Sequence, residues 1–402
     1  MLSSSQTPYA SSMAPAATLA EVPTIGARRA TTLPMVHWVP AVAAAMIYPV
    51  ALRFAIDALH AAQTGDGFAR ALWGLAALLG LILIVAPAAL ALRGLLAIRL
   101  DTTPKAIAVR RLLHFAVAVP PAYLLCIRIA GAMNSLVGNV ASGLIAWWGL
   151  WIVLAAVVWN VGRAAQASSD STPAPVGSRA AAIERASLAA RSADTGTPSF
   201  LSTVVGRARK VHRLAIVAIL ASFLIAHLAN HLFALWSVPA QHTVMLALRT
   251  WYRAVWMEPL ILALFAVAAL TGLLRFGRLT RGQADAFRVV QTVSGVYLAF
   301  FLASHIWATL GARFHGIDTD WAFASGGRAG MLASGVAAAV LVYYAFALLA
   351  VATHAGLGLR MVLLSRRVRT VAANRSARLV FLFGSAASAL IVAALLGVRL
   401  GG

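Results

Sequence analysis

Two histidines interrupt the apolar run at residues 223–232, which reads FLIAHLANHL. His227 and His231 are four residues apart, so a helix places them on one face, one turn apart. Further along the chain, His305 and His354 also fall inside long apolar segments. Ionisable side chains inside a membrane are costly and usually face a partner, a cavity or a cofactor. These four histidines are therefore the first candidates for chemistry.

The depth of each histidine follows from the apolar segment that carries it. The segments with His227 and His305 begin near residues 212 and 286, both at the predicted cytoplasmic side. At a rise of about 1.5 Å per residue, His227 lies about 22 Å and His305 about 28 Å from those ends. The two imidazoles can therefore meet in the outer half of the membrane. The segment with His354 runs the other way, so His354 falls in the inner half and cannot easily join them.

Two neutral imidazoles on facing helices at one depth are the ligand pair that a bis-histidine haem needs. The alternative is that each histidine hydrogen-bonds to a neighbouring helix, and spacing alone leaves both interpretations open. His231 could replace His227 as ligand, or hydrogen-bond to a haem propionate or a quinone. Gly295 could let a porphyrin approach the backbone, or could serve close helix packing. The other six histidines fall at segment ends or in loops and are interpreted as interfacial or solvated: His37, His60, His114, His212, His242 and His315.

The elements that would position these histidines are membrane helices. Of the 402 residues, 61% are hydrophobic and only 11% are charged, which is typical of a polytopic membrane protein. Nine apolar segments reach the length of about 20 residues that a membrane span needs. They lie near residues 37–58, 72–98, 109–132, 141–162, 212–236, 254–275, 286–310, 331–360 and 376–398. The sequence predicts an all-α polytopic protein with about nine transmembrane helices.

The charge distribution predicts the orientation. The net charge of +22 comes from bases in the loops between apolar segments, which indicates membrane topology and anionic lipid rather than nucleic acid. Basic loops alternate with loops that carry few bases, and the polar stretch 164–208 belongs to the basic set. The positive-inside rule then places the N-terminus in the cytoplasm and the C-terminus outside. We expect a multi-pass protein of a bacterial-type cytoplasmic (inner) membrane.

Cysteine usage limits the redox chemistry of the chain. Cys126 is the only cysteine, which excludes a disulfide within the chain, a cysteine-ligated iron–sulfur cluster and a covalently attached haem. The sequence also has no GxGxxG motif for a flavin. The chain therefore cannot oxidise a substrate such as succinate by itself.

Four stretches of the second half carry a family resemblance. They are residues 209–231, RKVHRLAIVAILASFLIAHLANH; residues 253–275, with Arg253, Glu258 and Gly272; residues 286–311, AFRVVQTVSGVYLAFFLASHIWATLG; and residues 354–360, HAGLGLR. Their order and spacing resemble the first, second, fourth and fifth helices of a known family. It is the five-helix di-haem cytochrome b membrane subunit of succinate dehydrogenases (succinate:menaquinone oxidoreductases) and fumarate reductases. The family's short third helix has no clear counterpart.

The resemblance implies one haem b more readily than two. It assigns His227 and His305 to the outer haem. Arg253 and Glu258, at the outer end of the sixth apolar segment, could line a quinone pocket or form an interfacial salt bridge. For the inner haem, the family places a histidine four residues before the Gly-Leu of its second helix, where this sequence has Ala268. His354 is thus left without an evident partner. The inner site could be five-coordinate, recruit another ligand or be empty, and we expect an empty or non-haem site.

These expectations define four parts of the chain and one function. The parts are a disordered tail (1–34), a four-helix membrane half of unknown role (35–163), a cytoplasmic linker (164–208) and a cytochrome b-like membrane domain (209–402). The resemblance implies a membrane anchor that transfers electrons between quinone and a flavoprotein with an iron–sulfur subunit docked on the cytoplasmic face. The alternative is a haem-free membrane protein of the same fold, used for transport or as an interaction platform.

Overall fold

Helices form all the regular structure in the described part of the computed structural model, which comprises residues 34–137, 143–170, 200–326 and 337–400. Eight of these helices are long and apolar enough to cross a membrane, and a bent helix pair makes nine if it counts as one span. Large apolar side chains such as Leu75, Ile82 and Phe383 are exposed along them, as lipid-facing residues are. The prediction of an all-α polytopic membrane protein is confirmed.

The first half of the chain forms five helices. In order they are α1 (Val39–Thr64), α2 (Gly67–Ala97), α3 (Pro104–Val117), α4 (Val119–Val137) and α5 (Gly143–Asp170). Helices α1 and α2 pack closely because Gly80 lies against Ala55: a Cβ on Gly80 would be 2.5 Å from the Ala55 Cβ. Small residues allow such close approach between membrane helices.

The second half contains the histidine-bearing helices. They are α6 (Phe200–Ile219), α7 (Ile225–Phe233), α8 (Val238–Tyr252), α9 (Met257–Leu279), α10 (Ala286–Phe314), α11 (Trp321–Ala324), α12 (Ala337–Ser365) and α13 (Thr370–Leu395). A single turn of π-helix, Leu220–Leu224, joins α6 to α7, so that Gly206–Phe233 is one candidate span. Helix α9 packs on α6, and α12 packs between α10 and α13.

The third predicted span is not a straight helix. The sequence predicts one span over residues 109–132, whereas α3 and α4 meet at Ala118 with a bend of 78°. Pro120 and Pro121 follow directly. Proline has no backbone N–H, and its ring collides with the carbonyl four residues earlier, so the helix cannot continue through this point.

Helix α8 is an element that hydropathy did not reveal. It lies between the predicted fifth and sixth spans and, with 15 residues, is too short to be one of the candidate spans. Its start is marked by ordinary capping: the Ser237 hydroxyl accepts a hydrogen bond from the Ala240 amide, and Pro239 occupies the first turn. This serine–proline signal was available in the sequence.

Helix α3 connects the two halves. The buried Arg110 guanidinium donates to the carbonyl oxygens of Asp101 and of Gly282, which lies in the loop between α9 and α10. The Ala284 amide, in the same loop, donates to the Arg99 carbonyl over 3.1 Å. Residues 35–402 accordingly form a single compact unit.

The predicted domain boundaries remain predictions. Helix α5 continues to Asp170 and α6 begins at Phe200, so both ends of the predicted linker 164–208 are helical. The centre of that linker, residues 171–199, and residues 1–33 of the predicted tail lie outside the described residues.

Candidate functional site

The outer histidines of α7 lie one turn apart, as their spacing predicts. The ring centres of His227 and His231 are 5.0 Å apart, with the rings perpendicular. Phe223, one turn earlier, stacks on His227 at 4.8 Å. Nδ1 of His231 is buried and makes no hydrogen bond to any described residue. Because an unpaired buried polar atom is costly, this nitrogen is suited to meet a ligand that the chain itself does not provide.

His305 on α10 is fixed by two aromatic side chains. Phe301, one turn earlier, stacks on it almost in parallel, with ring centres 5.2 Å apart. Nδ1 of His305 lies 3.0 Å from the hydroxyl of Tyr344 on α12, within hydrogen-bonding distance. A hydrogen bond at one ring nitrogen orients the imidazole and prepares the other nitrogen for a metal. His227 and His305 are therefore each preceded, one turn earlier, by a phenylalanine that supports the ring.

The structure brings His227, His231 and His305 together. Each of the three imidazoles lies within electrostatic range of the other two. Among the described residues, no group of three or more His, Cys, Asp or Glu side chains is arranged to hold a metal ion by itself. A haem needs only two protein ligands because the porphyrin supplies the other four nitrogens.

A π-helical turn lies directly before the outer histidines. Such turns are rare, occur mostly as single insertions in α-helices and are frequent at functional sites. The carbonyl of Ser222, inside the turn Leu220–Leu224, accepts a hydrogen bond of 3.0 Å from the Trp251 indole on α8. The turn therefore anchors α8 beside the helix that carries His227.

Arg253, a predicted quinone-pocket residue, belongs to a charged group formed by the end of α8 and the loop after α10. It donates to the Thr319 hydroxyl at 2.8 Å, and Asp318 pairs with Arg249 at 2.9 Å. The hydrogen bond from Arg249 lowers the pKa of Asp318 below its ordinary value. Glu258 pairs with Arg313 in a two-pronged salt bridge rather than with Arg253.

An open cavity of about 700 Å³ lies beside the outer cluster. Trp321 lines this cavity and also packs on His231, with ring centres 6.0 Å apart. The cavity walls are mostly apolar, with a few polar groups: His242, Asp320, Ser325 and Arg399. Ligand sites commonly have this mixture of apolar walls and few polar groups.

His354 has a neighbour that the family resemblance did not predict. The resemblance left His354 without a partner, because Ala268 stands where the resembled family has a histidine. In the structure the ring of His212, on α6, lies 6.4 Å from that of His354, on α12. Sequence analysis placed His212 among the interfacial histidines. It is instead half-buried and hydrogen-bonded to the Ala268 carbonyl at 3.0 Å.

Gly295 makes room for His354. A Cβ at Gly295 would lie 2.9 Å from Cε1 of the His354 ring, closer than real side chains approach each other. The group that lies against this glycine is an imidazole from the neighbouring helix α12.

Comparison with known proteins identifies no relative. No protein-family model, no curated protein and no solved structure matches the chain. The resemblance to the cytochrome b subunit thus rests on the quoted residues alone, and function has to be argued from the geometry of the histidines.

Proposed function

We propose that this chain is a haem b-binding membrane anchor that transfers electrons between a succinate dehydrogenase or fumarate reductase-type partner and a membrane quinone. The observation that carries the proposal is that His227 on α7 and His305 on α10 lie within electrostatic range of each other inside the bundle, next to His231. Haem b would supply reversible one-electron transfer. His227 and His305 would be its axial ligands.

The surroundings of these two histidines suit that role. Phe223 and Phe301 stack on the imidazoles and fix the ring planes, while Tyr344 orients His305. A ligand pair held by packing loses little conformational freedom on binding, which favours a rigid site. Aromatic and apolar neighbours would also keep water away from a bound haem, and water access is one determinant of a haem's reduction potential.

The cavity at Trp321 is the candidate quinone site. Its volume of about 700 Å³ is in the range of small-molecule sites. Trp321 contacts His231 and lines the cavity, so a quinone there would be separated from the histidine cluster by one aromatic side chain. On the opposite side, exposed bases would meet the flavoprotein and iron–sulfur partners, among them Arg278, Arg281, Arg288, Arg366 and Arg369.

A haem-free membrane protein, used for transport or as an interaction platform, is the second candidate. One observation favours it: His305 already has a hydrogen-bonding partner in Tyr344 and needs no cofactor to satisfy that nitrogen. The experiment below separates the two functions.

The test is the reduced-minus-oxidised visible spectrum of the purified full chain, with haem measured per chain. We expect haem b bands in the wild type, and loss of the outer haem in both His227→Ala and His305→Ala. His60→Ala is the control, because His60 is exposed on α1 in the other half of the chain. A wild-type protein without haem absorbance would contradict the proposal and favour the haem-free alternative.

A further inference from the structure

We propose that three arginines at the predicted cytoplasmic end of the bundle, Arg209, Arg213 and Arg275, bind the phosphate of an anionic phospholipid. The site lies where α6 packs on α9, and its ligand comes from the membrane around the chain. It shares no residue with the cluster of His227 and His305, so it can be tested whether or not the chain binds haem.

The register between α6 and α9 is fixed by His212. Nδ1 of His212 lies 3.0 Å from the Ala268 carbonyl and 3.1 Å from the Thr271 hydroxyl of α9. Further along the first of these spans, Phe223 packs on Phe265, which precedes Ala268. The two helices therefore run in opposite directions.

Arg275 lies at the same helix contact, nearer the cytoplasmic end. It follows Thr271 by one turn, so the antiparallel register places it opposite Ala208 and Arg209 of α6. Ala208 is only 5% exposed, and its short side chain leaves room for the half-buried Arg275. Arg209 and Arg213 are both within electrostatic range of Arg275. The three guanidinium groups are thus neighbours at one end of the contact.

The three arginines form no ion pair within the described part of the chain. By contrast, Arg111 of α3 donates to the Thr280 hydroxyl and to the Gly277 carbonyl. Three neighbouring like charges repel one another, and an anionic group between them removes that repulsion. Arginine suits a phosphate because its planar fork can donate two hydrogen bonds to the phosphate oxygens.

The interior of the bundle offers no counter-charge to Arg275 among the described residues. Arg275 is within electrostatic range of His212 and His354. Both imidazoles already bond to backbone carbonyls, that of His354 to Gln291 at 3.1 Å. Neither ring carries a negative charge, so the anion that balances Arg275 has to come from the surroundings of the chain.

The depth of the three arginines is that of lipid headgroups. They belong to the candidate spans Gly206–Phe233 and Met257–Leu279. At about 1.5 Å per residue, all three lie within about 11 Å of the span ends that the positive-inside rule assigns to the cytoplasm. This depth covers the headgroup layer and its border with the acyl chains. Basic sites between helices on this side are typical binding places for anionic headgroups.

Exposed apolar side chains continue from the arginines toward the membrane centre. Arg209, Arg213 and Val217 are spaced four residues apart and form an exposed stripe along α6. On α9, the exposed Leu274 lies on the membrane side of Arg275. A cationic end with an apolar continuation matches a molecule that has an anionic headgroup and hydrocarbon chains. The pattern therefore favours a phospholipid over a soluble anion.

The test is the binding of defined lipids to the purified full chain in detergent. Native mass spectrometry counts the lipids retained per chain, and thermal unfolding measures their stabilising effect. We expect phosphatidylglycerol to be retained and to raise the melting temperature, and zwitterionic phosphatidylcholine to do neither. One basic residue near an anionic membrane surface contributes about fivefold to affinity. Arg275→Gln should thus weaken phosphatidylglycerol binding about fivefold, and Arg209→Gln combined with Arg213→Gln about 25-fold.

Two further variants make the test specific. Arg278→Gln combined with Arg281→Gln is the matched control, because it removes the same charge from exposed positions just beyond Arg275. It should leave phosphatidylglycerol binding almost unchanged. Arg275→Lys keeps the charge and guards against misfolding. It should bind more tightly than Arg275→Gln and less tightly than the wild type, because lysine lacks the planar fork.

Several results would overturn the lipid site. Wild-type protein that retains phosphatidylglycerol and phosphatidylcholine equally has no site for an anionic lipid. Equal losses in the two double variants would reduce the site to a general attraction to the basic face. Stabilisation by inorganic phosphate as strong as that by phosphatidylglycerol would assign the arginines to a free anion. The same result with poly-glutamate would assign them to an acidic protein surface.

Discussion

The backbone carbonyl of Ala268 lies 3.0 Å from Nδ1 of His212, so a residue without a ligating side chain orients an imidazole through its main chain. At the same helix position, the resembled family has a histidine side chain. Here the imidazole comes from α6 instead, and α9 supplies the hydrogen bond that directs it.

Gly295→Ala should disturb the inner histidine pair selectively. The new Cβ would lie 2.9 Å from His354 Cε1, so the ring must shift away from its carbonyl partner. Overpacking of this kind costs about 1–3 kcal/mol, so we expect a lower melting temperature in detergent. Gly311→Ala on the same helix is the control, since nothing lies within 4 Å of its added Cβ. Equal effects of the two variants would show that His354 tolerates the extra methyl group.

Arg110→Met should weaken the contact between the two halves. Arg110 is 2% exposed and donates to two backbone carbonyls, one of which lies beyond α9. Hydrogen bonds from charged groups contribute about 1.5–3 kcal/mol each, so we expect a loss of about 2–4 kcal/mol after partial relaxation. Thermal unfolding in detergent measures this loss. Arg93→Met, at an exposed position of α2, should change the melting temperature little.

Gly80→Ala should separate α1 from α2. Its Cβ would approach the Ala55 Cβ to 2.5 Å, and the atoms in the way belong to a short side chain and the backbone. Overpacking of this kind costs about 1–3 kcal/mol. Gly74→Ala, on the same helix, meets nothing within 4 Å and should be neutral or slightly stabilising. A melting temperature of Gly80→Ala at or above the wild type would contradict the packing described.

The Asp318–Arg249 pair should make the outer loops sensitive to acid. The folded-state pKa of Asp318 is lowered, first by the hydrogen bond from Arg249. Its contribution to stability is therefore fully present above the unfolded pKa of about 3.9, and is lost as the pH falls through the lower folded value. We expect the difference in melting temperature between wild type and Asp318→Asn to be small at pH 6 and to vanish toward pH 2. The difference stays small because Asp318 is mostly exposed. A difference that grows on acidification would contradict the assignment.

Apolar length predicted most of the fold from sequence. In lipid, a run of about 20 apolar residues can satisfy its backbone hydrogen bonds only as a helix. The positions of the spans therefore follow from the positions of the apolar runs. The apolar segments alone did not predict the bend at Ala118 or the short α8. Hydropathy averaged over a segment does not detect prolines or helix caps. The proline pair 120–121 and the Ser237–Pro239 cap carried those signals locally.

The candidate sites were predictable to different degrees. His227, His231 and His305 stand out because a polar group inside an apolar run is visible in the sequence. His212 does not, because its position at the end of a span looks interfacial. Its role depends on which carbonyl, hydroxyl and glycine of α9 lie opposite, and this is tertiary information. The π-helical turn at Leu220–Leu224 has no sequence signal that we recognise.

The bend at Ala118 has a consequence for the far end of the protein. Every complete crossing reverses the side on which the chain emerges, so the parity of crossings decides where residue 400 lies relative to residue 35. With α3 and α4 acting as one broken crossing, the described residues make nine crossings and the two ends face different compartments. With α3 and α4 dipping in and returning on one side, the described residues make eight crossings and the two ends share one compartment. A reporter enzyme fused to the C-terminus shows on which side of the membrane the C-terminus lies. Its activity therefore tells whether the bent pair α3 and α4 crosses the membrane or returns to the same side.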